Sequence, residues 1–248
     1  MPFDPSVWVF AFAWFLAGLI NGISGMGAAM LALPIAATAM PPHFLIPATC
    51  LMVLVVSVST AVFYLKSVRR KAFLALLLGA LPGSLAGLGI LLFTPVPVLQ
   101  ISAGAFMILY TIWQFCLPTF RPHGDSWMSG GIAGFASGLI NTSISFGNPP
   151  VAIYSLWAGW SKEDTMGTMN VFTLCATILT CTAHASAGLY SMALLPYAIA
   201  GAPATILGVI CAHPIAKRIP LAIFRRILLF IIAAAGFVCM YQGLSRIL

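Results

Sequence analysis

Charge is what this sequence has least of. Of 248 residues only 15 carry it, 11 basic and four acidic, where a soluble domain carries about a quarter. With 61% apolar residues and a mean hydropathy of +1.07, a soluble globular domain is excluded. Residues 5–65, 72–120, 126–161 and 165–216 contain no Asp, Glu, Lys or Arg, and each stretch exceeds the ~20 residues a helix needs to cross a bilayer. The sequence therefore predicts an all-α polytopic membrane protein. The four acids (Asp4, Asp125, Glu163, Asp164) fall in predicted loops or termini. No carboxylate is left inside a span for the cation sites or proton relays of many pumps, which argues against those classes. None of the six cysteines forms a CxxC, and all lie in or beside apolar runs. They read as small hydrophobic residues, and no metal or cofactor is expected. Asp4 is the only early charge and the following apolar run continues without a stop, so a signal peptide is not expected. The formal charge of +7 reads as cytoplasmic-loop charge rather than as a nucleic-acid surface.

What is present is a repeat. Ala17-Gly18-x-x-Asn21-Gly22-Ile23 recurs as Ala133-Gly134-x-x-Ser137-Gly138-Leu139, and Pro34 then matches Pro150 at the same offset. Thr49 pairs with Thr168, Pro82 with Pro203 and Pro97 with Pro220 at slowly growing offsets, as small loop insertions would produce. An ordered succession of this kind indicates duplication, with a first repeat over 1–120 and a second over 121–248. Each repeat opens on a long apolar run broken by polar or glycine residues. Residues 5–40 are interrupted at 22–27 and residues 127–160 at 141–150.

Each broken run is either one long tilted helix or a hairpin of two half-helices that enters and leaves on one side. Charge separates the two. Eight full spans with the N-terminus inside would put Lys66, Arg69, Arg70, Lys71, Arg121 and Arg246 on one side and Lys162, Lys217, Arg218, Arg225 and Arg226 on the other. With both broken runs re-entrant, every basic residue except Arg246 shares a side, the arrangement favoured by the positive-inside rule. This predicts both termini outside and six full spans near 42–65, 72–93, 97–117, 165–186, 192–213 and 220–244. Three spans per repeat make the repeats inverted, a transporter layout.

Backbone broken at mid-membrane must line a cavity or pack within protein. Asn148-Pro149-Pro150 reads as an N-cap followed by proline at the first helical position, so a half-helix is expected from Pro149. The repeat predicts another beginning around Ala28 to Leu31, after the Ser24-Gly25-Met26-Gly27 turn. The positive dipole ends of two such half-helices make an anion site without a cationic side chain. Asn141, Thr142, Ser143, Ser145 and Asn148 add uncharged donors, with Thr49, Thr168 and Asn170 available from the spans that follow each hairpin. The Gly18/Gly22, Gly83/Gly87 and Gly134/Gly138 pairs read as close helix packing. Trp113, Trp127, Trp157 and Trp160 read as interface anchors. His43, His123 and His213 lie at loop edges, and His184 lies near the outer end of a span, where a structural role competes with a gating or proton role.

Three functions follow from this reading. The first is a transporter of a small anion by alternating access. The second is an anion-selective channel or passive carrier on the same scaffold. The third is an intramembrane serine hydrolase, because Gly22-Ile-Ser24-Gly25 spells the GxSG of rhomboid proteases and His184 is available as a base. Against the hydrolase, Ser24 sits in the first segment and its repeat counterpart is Ile140. The partners expected are the bilayer and the anion, with no nucleic acid. A homo-oligomer is compatible with the sequence.

The sequence also resembles the sulfite exporter TauE/SafE family of prokaryotic permeases. The resemblance rests on the early glycine-rich break (Gly18, Gly22, Gly25, Gly27, Pro34), on Gly138 and the Gly147-Asn148-Pro149-Pro150 stretch leading to Tyr154, and on Lys162, Thr168, Asn170 and Phe172. It implies movement of sulfite, sulfonates or related sulfur anions across the inner membrane. The sequence departs from the family pattern at Ala28 and Ala29, and at Asn141 and Asn148, where glycines are common. These changes narrow the break and add amide donors.

Overall fold

The computed structural model describes residues 4–24, 27–64, 67–116, 123–216 and 221–245. Ten α-helices follow in order: α1 Pro5–Ser24, α2 Ala28–Ala37, α3 Pro42–Tyr64, α4 Arg70–Phe93, α5 Val96–Phe115, α6 Trp127–Ile144, α7 Asn148–Ala158, α8 Lys162–Ser186, α9 Leu195–Ala216 and α10 Leu221–Leu244. A 3-10 turn at Met192–Leu194 leads into α9, and no strand occurs among the described residues. Among the described residues, five stretches are long and apolar enough to cross a membrane: Pro5–Ile23, Arg70–Phe93, Val96–Gln114, Glu163–Ser186 and Met192–Ala212. The breaks fall where the sequence puts them, but the arms are unequal. α1 and α6 have 20 and 18 residues, whereas α2 and α7 have 10 and 11. At 1.5 Å per residue the first arms are about 30 and 27 Å long and the returning arms about 15 and 16 Å. Nothing in an apolar run marks how far its first arm extends until a breaking residue arrives, which explains the difference.

Two compact units form, and neither is a sequence half. Unit 1 takes Met1–Val56, Thr94–Leu117 and Leu189–Leu248, and unit 2 takes Ser57–Phe93 and Pro118–Gly188. In unit 1, α1 and α9 run in the same direction. Ser6 Oγ meets Tyr197 Oη at 2.6 Å at one end, and further along Gly18 and Gly22 lie against Thr205, Val209 and Ala212. Phe10 and Phe44 meet the Tyr197 ring edge-on, at 5.6 and 5.5 Å. α5 and α10 run in opposite directions, with Gly104 against Gly236 and Met240, and Gly243 against Pro97 and Ile101. The Ser6 N–H donates to Asp4 Oδ1 at 3.0 Å at the start of α1, and this bond holds the Asp4 carboxyl below its usual range.

In unit 2, α4 and α6 run in the same direction along a glycine seam. Gly79 meets Gly131, Gly83 meets Phe135, Gly87 meets Leu139, and from the other side Gly134 meets Leu76 and Gly138 meets Ala80. These are backbone-to-backbone contacts, the close approach for which membrane helices use small residues. α8 starts at the same end as α4, where Thr168 Oγ1 accepts the Arg69 N–H at 3.0 Å and Gly167 lies against Ser67.

α7 then returns to the end where α6 begins. The His123 N–H donates to the Trp157 carbonyl at 3.1 Å, and the two rings stack at 4.9 Å. The Tyr154 hydroxyl accepts the Ser126 N–H and donates to the Ser126 carbonyl, both at 3.2 Å. Trp160 Nε1 donates to Asp125 Oδ1 at 2.7 Å. An ion-pair cluster closes the same end, with Arg69 Nε 2.9 Å from Asp125 and Nη1 3.4 Å from Asp164. Eight full spans would put residues 69 and 164 on opposite sides of a bilayer. The Arg69–Asp164 pair brings residues 69 and 164 together at one end of unit 2.

Candidate functional site

The α6–α7 break of unit 2 is held from both sides. α6 ends at Ser145, which sits in the left-handed region at φ 58°. The Ser145 and Phe146 N–H groups turn back to the Asn141 and Ile140 carbonyls at 2.8 and 3.4 Å. A helix end leaves its last four carbonyls without intrahelical partners, and here a third, that of Thr142, accepts His184 Nε2–H at 3.0 Å. His184 of α8 therefore caps α6.

α7 starts partway back up the hairpin. Ser137 Oγ donates to the Gly147 carbonyl, and a Cβ on Gly147 would run into Asn141. Ser137 is ten residues into α6, about 15 Å from its start. Asn148 Oδ1 accepts Thr173 Oγ1–H at 2.8 Å, and Thr173 is eleven residues into α8, about 16 Å along. Both measures set the N-terminus of α7 roughly halfway along α6 and α8.

The sequence expectation of an Asn148 N-cap shifts by one residue. Gly147 precedes the helix, Asn148 is its first residue, and no side chain caps it, because the Asn148 carboxamide turns to Thr173 instead. With Pro149 and Pro150 following, two of the first three residues of α7 have no N–H. Donors at this end include the Asn148 N–H and its Nδ2, since the Thr173 bond engages only Oδ1. α2 differs. Its first turn, Ala28-Ala29-Met30, follows Gly27 at φ 92° with no side-chain cap, and all three residues carry an N–H.

The other expected donors are distributed as follows. Asn141 Nδ2 donates to Thr180 Oγ1 at 2.9 Å, and Thr142 Oγ1 meets the same oxygen at 3.0 Å, so both residues join the break to α8. Ser143 Oγ donates back to the Leu139 carbonyl within α6. Thr168 lies at the charged end, on Arg69. Asn170, one turn before Thr173, accepts from Thr60 at 3.0 Å and donates to the Met166 carbonyl at 2.7 Å. Thr49 belongs to unit 1; it is fully buried, and its Oγ1 has no hydrogen-bond partner among the described residues, nor does Asn21 Nδ2 of the same unit. Gly27 is described, but Gly25, Met26 and the Ser24 side chain lie outside the described residues. Of the expected set, Asn141, Thr142 and Asn148 come together around the break.

The partners to which the sequence reading gives no role are Thr173 and Thr180, with Thr177 between them, and it leaves His184 between a structural and a gating or proton role. Asn170, Thr173, Thr177, Thr180 and His184 follow one another at spacings of three and four, which puts them on one face of α8. Thr177, Thr180 and His184 are fully buried. A polar stripe at helical spacing inside an apolar span was the available signal.

The sequence model of the sulfite exporter TauE/SafE family matches residues 10–238. No curated protein and no solved structure matches the chain.

Proposed function

The chain belongs to the sulfite exporter TauE/SafE family, a family of membrane transporters, and on that premise we propose that it moves a small sulfur-containing anion, sulfite or an organosulfonate, by alternating access. In this reading the anion is held at half-helix N-termini by backbone N–H groups and carboxamide donors, without a cationic side chain. The observation that carries it is the start of α7 roughly halfway along α6 and α8, with Asn148 Nδ2 as its side-chain donor. The charge-free spans support it, because an anion in such a site meets no carboxylate. A helix N-terminus favours negative charge.

Inverted repeats fit this function. The helices joined by glycine seams, α1 with α9 and α6 with α4, are repeat equivalents of one another. The charged end of unit 2 is assigned to the cytoplasm of a prokaryotic inner membrane by the positive-inside rule, and both termini to the outside. In a cysteine-free background, Lys162→Cys should resist an impermeant thiol reagent added to intact cells and react after permeabilisation. Ser191→Cys, in the exposed loop before α9, should react from outside. The opposite labelling pattern overturns the orientation.

The function itself is tested by counterflow. Proteoliposomes loaded with sulfite or a sulfonate should accelerate entry of the same labelled anion, and chloride or carboxylate loading should not. Flux without counterflow would instead favour a channel or passive carrier, and no flux of any sulfur anion would overturn the substrate class.

A further inference from the structure

His184 is an ionisable side chain buried within a membrane helix, and such residues are costly there unless they have a function and a partner. Its partner is the Thr142 carbonyl, 3.0 Å from Nε2. A carbonyl can only accept, so Nε2 carries its hydrogen whatever the charge of the ring. The neutral ring is therefore the Nε2–H tautomer, and Nδ1 is the atom that gains or loses a proton.

The carbonyl belongs to the C-terminal end of α6, whose peptide dipoles put about half a negative charge there. An imidazolium at this point would convert the Nε2–H···O=C contact into a charge-assisted bond roughly twice as strong as a neutral one. The contact is part of a larger junction. Thr180, one turn before His184 on the same face, holds both Asn141 and Thr142, and Asn141 packs on Gly147, the residue from which α7 starts.

We propose that His184 is the proton-coupling residue of this carrier: Nδ1 takes up a proton from one aqueous side and releases it to the other, and its charge tightens or loosens the grip of α8 on the α6–α7 break. The proposal rests on the transport function above. In each cycle one proton moves with the anion and no bond other than N–H is made or broken. His184 acts through Thr142 and is a positioning residue, not an anion ligand.

α6 carries no titratable side chain, and α7 carries only Tyr154, whose hydroxyl is engaged at Ser126. α4 carries Arg70 and Lys71 at its start. α8 itself carries Lys162, Glu163 and Asp164 at its start, about 30 Å from His184 along the helix, with Cys175 and Cys181 between. Tyr190 follows His184 by six residues.

Two experiments on the full chain test the idea. In proteoliposomes, an inward proton gradient should make the wild type accumulate sulfite at least tenfold over its equilibrium level. His184→Gln, which keeps an amide donor for Thr142, should retain slower counterflow with a flat profile between pH 5.5 and 8 and lose the accumulation. Equal gradient-driven accumulation by His184→Gln and wild type, or no gradient response in a wild type that exchanges sulfite, overturns the proposal.

The second measurement needs neither transport nor a folded His184 variant. Replacing His43, His123 and His213 by Gln leaves His184 as the single imidazole of the chain. Its nitrogen resonances should show Nδ1 titrating between pH 5 and 8 while Nε2 stays protonated. A ring that does not titrate, or a neutral form protonated on Nδ1, overturns the proposal whatever anion the protein carries. Absence of sulfite exchange together with a titrating Nδ1 would count against the substrate class alone.

Discussion

Asn148→Ala should slow sulfite counterflow by tenfold or more while leaving the protein folded and inserted. A hydrogen bond to a charged group contributes about 1.5–3 kcal/mol, and each 1.4 kcal/mol is a factor of ten. Losing the Nδ2 donor at the start of α7 is therefore worth roughly ten- to hundredfold in anion binding. Little else is lost. Thr173 sits in a helix and can turn its hydroxyl to a carbonyl one turn earlier, and Pro149 and Pro150 still begin α7. Asn148→Asp gives the sharper comparison. One carboxylate oxygen still accepts from Thr173, and a negative charge in the first turn suits the helix dipole, so the protein should fold as well as the wild type. The other oxygen replaces a donor with a charged acceptor facing the anion, and counterflow should fall below that of Asn148→Ala. Counterflow kinetics of the three proteins at equal reconstitution decide the matter. Equal rates in all three would remove Asn148 from the path of the anion.

The parts of this molecule that were legible in the sequence are those fixed by local chemistry. The glycine and Asn-Pro-Pro interruptions mark both breaks, and the ends of the charge-free runs lie within a few residues of the helix ends. The basic residues that flank α4 and α8 predict a returning hairpin, and in unit 2 Arg69 meets Asp125 and Asp164 at one end. What was not legible is which helix meets which. Gly83 and Gly87 announce a face that approaches another backbone closely, but the spacing says nothing about the partner, and α4 of the first sequence half packs on α6 of the second. The donors of the break were hidden for a related reason. Asn141, Thr142 and Ser143 look available as a polar cluster, yet a buried hydroxyl or amide in an apolar setting must be hydrogen-bonded, and their partners come from α8 and from α6 itself. The stripe from Asn170 to His184 carried that information, and only its two end members stood out, the first because it lies beside Thr168.

The glycine seam supports a prediction of similar size for folding. A Cβ on Gly83 would be driven into the backbone of Phe135, and one on Gly134 into the backbone of Leu76. Backbone atoms cannot swing aside as a side chain can, so α4 and α6 would have to separate along their whole contact. Gly83→Ala should therefore cost about 3 kcal/mol, the upper part of the usual range for overpacking, which is a fall of about 10 °C in melting temperature for a chain of this size. Gly89 is the internal control. It lies in the same helix, and a Cβ there meets nothing within 4 Å, so Gly89→Ala should raise stability by up to about 1 kcal/mol through the better helix propensity of alanine. Thermal unfolding of the two purified variants in one detergent separates the effects. Opposite signs for substitutions six residues apart can only come from what each new methyl group touches, because the change in backbone entropy is the same at both sites. A matching fall for Gly18→Ala, whose Cβ would meet the backbone of Thr205 on α9, would show that the corresponding seam of unit 1 obeys the same constraint. If Gly83→Ala melts with the wild type, the α4–α6 contact is looser than the structure has it. The hairpin could then no longer be held by that seam, and the ion pairs and aromatic contacts at the charged end would have to carry it.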